Sequence, residues 1–305
     1  MTADERARCG DEPGITRKGA SSAVYLLGVS VPGREGAPAS QRRRRHAGRF
    51  GHRRQLPRSS LPTVVVGFSN DASGHGFKAF RWTAASGMVG LGFLPGGHES
   101  TASGVNADGT VVVGQAGEAS GQHQAYRWTA ASGMVGLGFL PGGNLSSAIG
   151  VNANGKVVVG GSNDASGHNQ AFRWTAASGM VGLGFLPGGN FSVANGVNAN
   201  GKVVVGSVRD ASGAFQAFRW TRATRMQSVL TLLLAAKVVT MATGWQLTSA
   251  NGVSADGTVI AGDGFDPLGL HQGWIARLPK ESNEDCEEDD DNQGDNDNQG
   301  EDFGQ

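Results

Sequence analysis

A fifteen-residue segment, TAASGMVGLGFLPGG, occurs three times without a change, at residues 83–97, 129–143 and 175–189. Successive copies begin 46 residues apart (129 − 83 = 46; 175 − 129 = 46). Self-similarity at such a period marks a chain built from units that cannot each bury their own apolar face, so that neighbouring copies must stack. Trp82, Trp128, Trp174 and Trp220 keep the same spacing, as do the turns that begin at Gly104, Gly150 and Gly196. A fifth copy follows after an insertion: Gly196 to Gly252, Gly206 to Gly262 and Phe218 to Trp274 are each 56 apart, ten more than the period.

Each copy divides into four short apolar segments separated by turn chemistry. In the third copy the first segment is Ala148 to Asn152, closed by Asn152-Ala153-Asn154-Gly155, whose Asn and Gly accept the left-handed backbone of a short hairpin loop. Lys156 to Gly160 is a valine run without a polar face, as expected of a strand buried on both sides. Gln170 to Thr175 alternates Phe172 and Trp174 with Ala171 and Arg173, the period-2 pattern of a strand. Met180 to Leu186 places Val181, Leu183 and Phe185 on one face and Gly182 and Gly184 on the other before Pro187-Gly188-Gly189. The bulky face of one unit is expected to pack on the Gly and Ala face of the next, because close-packed interiors match bulk with its absence.

Four strands in roughly 40 to 50 residues is the content of one propeller blade. The predicted fold is therefore all-β, a β-propeller of tandem four-stranded repeats with about five blades, spanning residues 61–279. Between Arg225 and Lys237, Met226, Val229, Leu230, Leu233 and Leu234 follow helical spacing. This predicts one short helix before the last repeat, in place of the fourth strand of copy four and covering core between blades. Copy one lacks its first strand and copy five its fourth, gaps that do not fill each other, so an open arc of blades is the alternative architecture.

The formal net charge of zero is a cancellation between a basic head (Arg42 to Arg45, Arg49, Arg53, Arg54, Arg58) and an acidic tail around Glu287 to Asp291. Residues 1–60 read as a disordered basic segment, non-native or carrying a signal region at Ala23 to Val31, and residues 280–305 as a disordered acidic tail. With one cysteine in each tail, Cys9 and Cys286, no disulfide framework staples the repeats. No apolar run reaches the 18 or more residues of a membrane span.

The repeats resemble the HAF-repeat family of predicted bacterial extracellular proteins over about Leu61 to Pro279. The resemblance rests on the Gly-Val-Asn-Ala-Asp/Asn-Gly turn, the Val-Val-Val-Gly strand, and the closing Trp245 to Pro279 segment with its Ser254-Ala255-Asp256-Gly257 turn. The eponymous His-Ala-Phe tripeptide reads Lys78-Ala79-Phe80, Gln124-Ala125-Tyr126, Gln170-Ala171-Phe172 and Gln216-Ala217-Phe218, without the histidine. The resemblance implies an extracellular or envelope-associated repeat protein and supplies no catalytic residue.

Asp71, Glu118, Asp164 and Asp210 occupy one aligned loop position, each followed by Ala-Ser-Gly. Two roles are open to them: a ring of ligand-binding carboxylates on one rim, contacting polysaccharide or protein, or the first residue of an Asx or Ser turn. His75, His123 and His168 lie in the same loops but not at one position, so they predict loop polarity and no metal site. In the Arg-Trp pairs, adjacent strand residues face opposite ways, so Trp is expected in the core and Arg at the rim. Gly90-Leu91-Gly92 is followed by no helix and so cradles no phosphate; no cofactor is expected. The single basic run, without interleaved aromatics, is not a nucleic-acid motif. These observations point to a non-enzymatic binding or structural module, and the alternative is a propeller hydrolase or lyase acting on glycans.

Overall fold

The computed structural model describes residues 26–29, 64–70, 76–236 and 244–278. Each copy forms its own antiparallel sheet, and the sheets follow one another in chain order. A short strand, β1 (Leu26–Val29), precedes the repeats. Blade one is β2 (Val64–Asn70), β3 (Phe77–Thr83) and β4 (Gly87–Gly90). Blade two is β5 (Ser100–Val105), β6 (Val112–Gly117), β7 (His123–Thr129) and β8 (Gly133–Gly136). Blade three is β9 (Ser146–Val151), β10 (Val158–Asn163), β11 (Asn169–Thr175) and β12 (Gly179–Gly182). Blade four is β13 (Phe191–Val197), β14 (Val204–Arg209), β15 (Phe215–Thr221) and β16 (Arg225–Ser228), followed by the helix α1 (Val229–Ala235). Blade five is β17 (Gln246–Val253), β18 (Val259–Phe265) and β19 (His271–Arg277).

Strands run in sequence order across each blade, and the first strand of every blade packs against strands of the blade before it: β5 on β2 and β3, β9 on β6 and β7, β13 on β10 and β11, β17 on β14 and β15. Among the described residues blade five has no comparable packing on blade one. The architecture is an all-β, five-bladed propeller array that is open among the described residues.

Three expectations change. The helix does not replace the fourth strand of copy four: β16 is that strand, pairing Trp220 with Met226 in the register of Trp174 with Met180. Arg225 takes the left-handed turn position (φ 57°) that Gly87, Gly133 and Gly179 hold in blades one to three. The helix follows, and its Val229 and Leu233 fill the seam to blade five beside Leu247, Ile260 and Trp274. The fourth segment also ends earlier than Leu186. Gly184, at φ 82°, turns the chain out of the strand, so Leu183 folds under blade three and into the core against Phe218. Finally, the outer position of blade five is filled: β1 pairs with β19, Leu26 opposite Ala276, inside a segment expected to be unstructured.

The expected match of bulk to small residues is the packing rule of the array. Phe172 of blade three is buried against Val111, Val113 and Ala125 of blade two; Phe218 and Trp220 of blade four lie against Val157, Val159 and Ala171 of blade three. The valine run is buried on both sides, with Val158 and Val159 at 0% exposure. At Val159/Gly160 the pairing with β9 slips by a bulge, and the carbonyl of Ser147 occupies the place where a Cβ on Gly160 would stand. Glycine is required there by the approach of the first strand. The same contact recurs between Gly114 and Thr101, Gly206 and Val193, and Gly262 and Ser249.

Candidate binding rim

The side chains that recur once per blade fall into two groups, those that join blades and those that shape loops. In the hairpin between first and second strands, Asn152 is buried, accepts the N–H of Val157 on its Oδ1 (2.9 Å) and donates from Nδ2 to the carbonyl of Ala199 in blade four (3.2 Å). Asn106 does the same toward Ala153, and Asn198 toward Ala255. Ser146 Oγ accepts the N–H of Ala125 in blade two and donates to the carbonyl of Gly138, an arrangement repeated by Ser100 and Ser192. The arginines are not rim residues as expected. Arg81, Arg127 and Arg173 donate from Nε to the carbonyls of Gly109, Gly155 and Gly201, each in the next blade. Burial holds the Arg127 guanidinium below its usual pKa, consistent with a guanidinium lying between blades.

The loops between second and third strands gather at the opposite end of the blades from those hairpins. They lie beside the Pro-Gly-Gly connections: a Cβ on Gly96, Gly142 or Gly188 would touch Ala119, Ala165 or Ala211. Of the aligned carboxylates, Asp71 lies outside the described residues, as does His75. Asp164 Oδ1 accepts the N–H groups of Ser166 (2.8 Å) and His168 (3.0 Å). Asp210 Oδ1 accepts the N–H groups of Ser212 and Ala214, and its Oδ2 accepts Gln216 Nε2. Glu118, one methylene longer, is bonded instead by the side chains of Ser120 and Gln124. The hydroxyl of Ser212, then the amide of Gln216, holds Asp210 below the usual carboxylate pKa. Each of these carboxylates organises its own loop. Among the described residues no second carboxylate and no histidine ring joins these loop hydrogen-bond sets; His168 enters one through its backbone N–H. His123 pairs with Glu99 (3.0 Å) and His168 lies edge-on to Phe185. Among the described residues no three potential metal ligands cluster.

One polar network does not repeat, and the sequence comparison of copies overlooked it. Ser207 Oγ donates to Ser249 Oγ (2.8 Å), Ser249 donates to Asn251 Oδ1 (2.7 Å), Asn251 Nδ2 donates to Asp263 Oδ1 (2.6 Å), and Asp263 Oδ2 meets His271 Nε2 at 3.0 Å. Asn195 of blade four also donates to Ser249. Asp263 stands where copies two to four have Gln115, Gly161 and Ser207. That substitution in copy five was the available signal. The adjoining loop differs too: Asp266 caps it through the N–H groups of Leu268 and Leu270, and Leu268 is 83% exposed.

The class these features define is a tandem-repeat protein of the β-propeller type, with blades sewn together by repeated Asn, Ser and Arg side chains. No protein-family model matches the chain, and no characterised protein matches it in sequence. Among solved structures it is similar to TolB from Acinetobacter baumannii (12% identity, 72% of this chain and 56% of that one, TM-score 0.45). It is also similar to a putative TolB from Agrobacterium tumefaciens (13%, 71% of each chain, TM-score 0.41) and to an arginine-substituted variant of AofleA from Arthrobotrys oligospora (11%, 72% of each chain, TM-score 0.34). The aligned part thus spans about half the length of the first of these. No helix among the described residues is long and apolar enough to cross a membrane.

Proposed function

We infer that the chain is a non-catalytic binding or structural module of the HAF-repeat kind, acting outside the cell or in the envelope. Its contact surface is the rim formed by the 118–122, 164–168, 210–214 and 266–270 loops. The observation that carries this is the use of the recurring polar side chains. Asn152, Ser146 and Arg173 and their equivalents join blades, and Asp164 and Asp210 fold their own loops. What blades two to four then offer to solvent at this rim, among the described residues, is a shaped loop. Similar loops set side by side on one rim suit a polymer with repeating units, a polysaccharide above all, because several weak contacts add along one chain.

An enzyme acting on glycans is the second reading, favoured by the one asymmetric network, Asn251-Asp263-His271. An array of bacterial and plant polysaccharides, screened for binding and for release of reducing ends with the same preparation, separates the two. Binding without turnover is expected, reduced by grafting the blade-five loop sequence Asp-Pro-Leu-Gly-Leu onto residues 164–168. Turnover lost in His271→Ala would overturn the reading.

A further inference from the structure

Blade one differs from the other four along one edge. In blades two to five the second strand, β6, β10, β14 or β18, has a first strand on one side and a third strand on the other. β2 has β3 alone, and among the described residues its other edge carries no strand. Yet β2 keeps the features that receive a first strand elsewhere. Val64-Val65-Val66-Gly67 repeats Val111 to Gly114, and Gly67 faces Phe80 in the register of Gly114 with Tyr126 and Gly160 with Phe172. In the other blades that glycine receives a first-strand carbonyl, from Thr101, Ser147, Val193 or Ser249. Among the described residues the Phe80 ring comes nearest to Gly67, 3.0 Å from where a Cβ would stand, and no first-strand carbonyl takes that place.

The direction of the edge groups follows from the neighbours. Gly117 and Asn163, which align with Asn70, donate their N–H groups to Glu99 and Leu145 on the first-strand side. By the two-residue alternation of an antiparallel ladder, Asn70, Phe68 and Val66 aim their backbone groups at the open edge, while Ser69, Gly67 and Val65 turn to β3. β2 is unbulged and contains no charged residue and no proline, the devices that usually block an edge. Phe68 and Val65 on it are about half exposed.

We propose that the open edge of β2 is a strand-acceptor site for another polypeptide. Its occupant is an extended, uncharged segment with the pattern of the repeat's own first strands, Ser-x-Ala-x-Gly-Val-Asn, read at residues 100–106, 146–152 and 192–198. This is the pattern that the second strands of the other blades receive, its carbonyl seated at their glycine and its alanine fully buried at Ala148 and Ala194. The terminal Asn closes the pairing, as Asn106 does by accepting the N–H of Val111, the residue that Val64 matches. The residues of this chain that fall in register, Arg53-Arg54-Gln55-Leu56-Pro57-Arg58, place three arginines and a proline against that requirement. The site is independent of the rim loops.

The test uses the full chain and a fluorescent peptide with the sequence of residues 146–155, read by anisotropy, with hydrogen exchange of the backbone amides. The peptide should bind saturably and its scrambled form should not, and bound peptide should slow exchange at Val66 and Phe68. Phe68→Pro removes one edge N–H without touching the pairing to β3 and should weaken binding by about tenfold or more. Absence of binding, equal binding of the scrambled peptide, or undiminished binding to Phe68→Pro overturns the proposal. So does protection of Val66 and Phe68 without peptide at the level of Val113 and Gln115, which would mean that the chain fills its own edge.

Discussion

Blade three and blade five share one plan but not one environment. Blade three has a neighbour on each face, and its forward-pointing side chains all reach blade four: Asn152 to Ala199, Arg173 to Gly201 and Asn169 to Ser192. Among the described residues blade five packs on a neighbouring blade only behind it. There Ser254 replaces the asparagine, Ile275 the arginine and Asp263 the glycine of blade three, and the hydrogen bonds turn inward. Ser254 bonds to Asp256 and Val259, and Asp263 to Asn251 and His271. In copy five the side chains that reach forward in the other blades are thus replaced by ones that bond within the blade or not at all.

The largest test of this contrast is on the aromatic that each blade turns toward its predecessor. Phe172→Ala should lower unfolding free energy by about 3–5 kcal/mol, because Phe172 is fully buried against blade two. Phe80→Ala in blade one, where no blade lies behind among the described residues, should lower it by less than half as much in the same urea titration. Next in size is Asn152→Ala, which strands the N–H of Val157 and the carbonyl of Ala199 and should remove about 1–3 kcal/mol. Ser254→Ala, which breaks only bonds within blade five, should remove less. Equal losses at the two positions would sink the idea that forward reach matters.

A gain is expected at Tyr126. Its hydroxyl is buried with no hydrogen-bond partner among the described residues, burial pushes its pKa upward, and the other copies carry Phe80, Phe172, Phe218 and Trp274 there. Tyr126→Phe should raise stability by about 1 kcal/mol, seen as a higher urea midpoint at unchanged slope. The smallest effect concerns pH. The hydroxyl of Ser254, followed by the N–H and hydroxyl of Thr258, brings the Asp256 carboxyl down to about 2, below its ordinary range. A carboxyl depressed in the folded state binds fewer protons than in the unfolded chain. Its contribution is therefore complete above about pH 4 and fades as pH falls toward 2. Asp256→Asn should flatten the fall of melting temperature in that window by slightly lowering the plateau above about pH 4.

Much of the fold was legible because the repeat states it several times. Val157-Val158-Val159, the Asn-Ala-Asn-Gly turn and the Phe172/Ala125 complement each follow from local pattern and appear where expected. The end of the fourth strand was not legible, because Leu183 and Phe185 alternate as a strand would while Gly184 takes a left-handed backbone that periodicity does not reveal. The helix was placed one strand early because Met226 and Val229 match helical spacing as well as they match β16 followed by α1. Of the candidate site, the loop carboxylates were located by alignment, but their bonding to Ser166, His168 and Ala214 was not. The partner of Arg173, the carbonyl of Gly201 28 residues away, is invisible to any local window. The Asn251-Asp263-His271 network lies in the copy that departs most from the repeat, so alignment of the copies does not define it.

The seam between blades has a consequence for how such a chain can change its length. Blades two, three and four each carry half of a forward joint in Asn106, Asn152 or Asn198 and half of a backward joint in Ser100, Ser146 or Ser192, so an added copy of such a unit brings both halves with it. Duplication or loss of one 46-residue unit between blades two and four leaves each joint with a matching counterpart. Genetic copying can thus lengthen or shorten the stack one blade at a time, with no second substitution needed to make the new boundary fit.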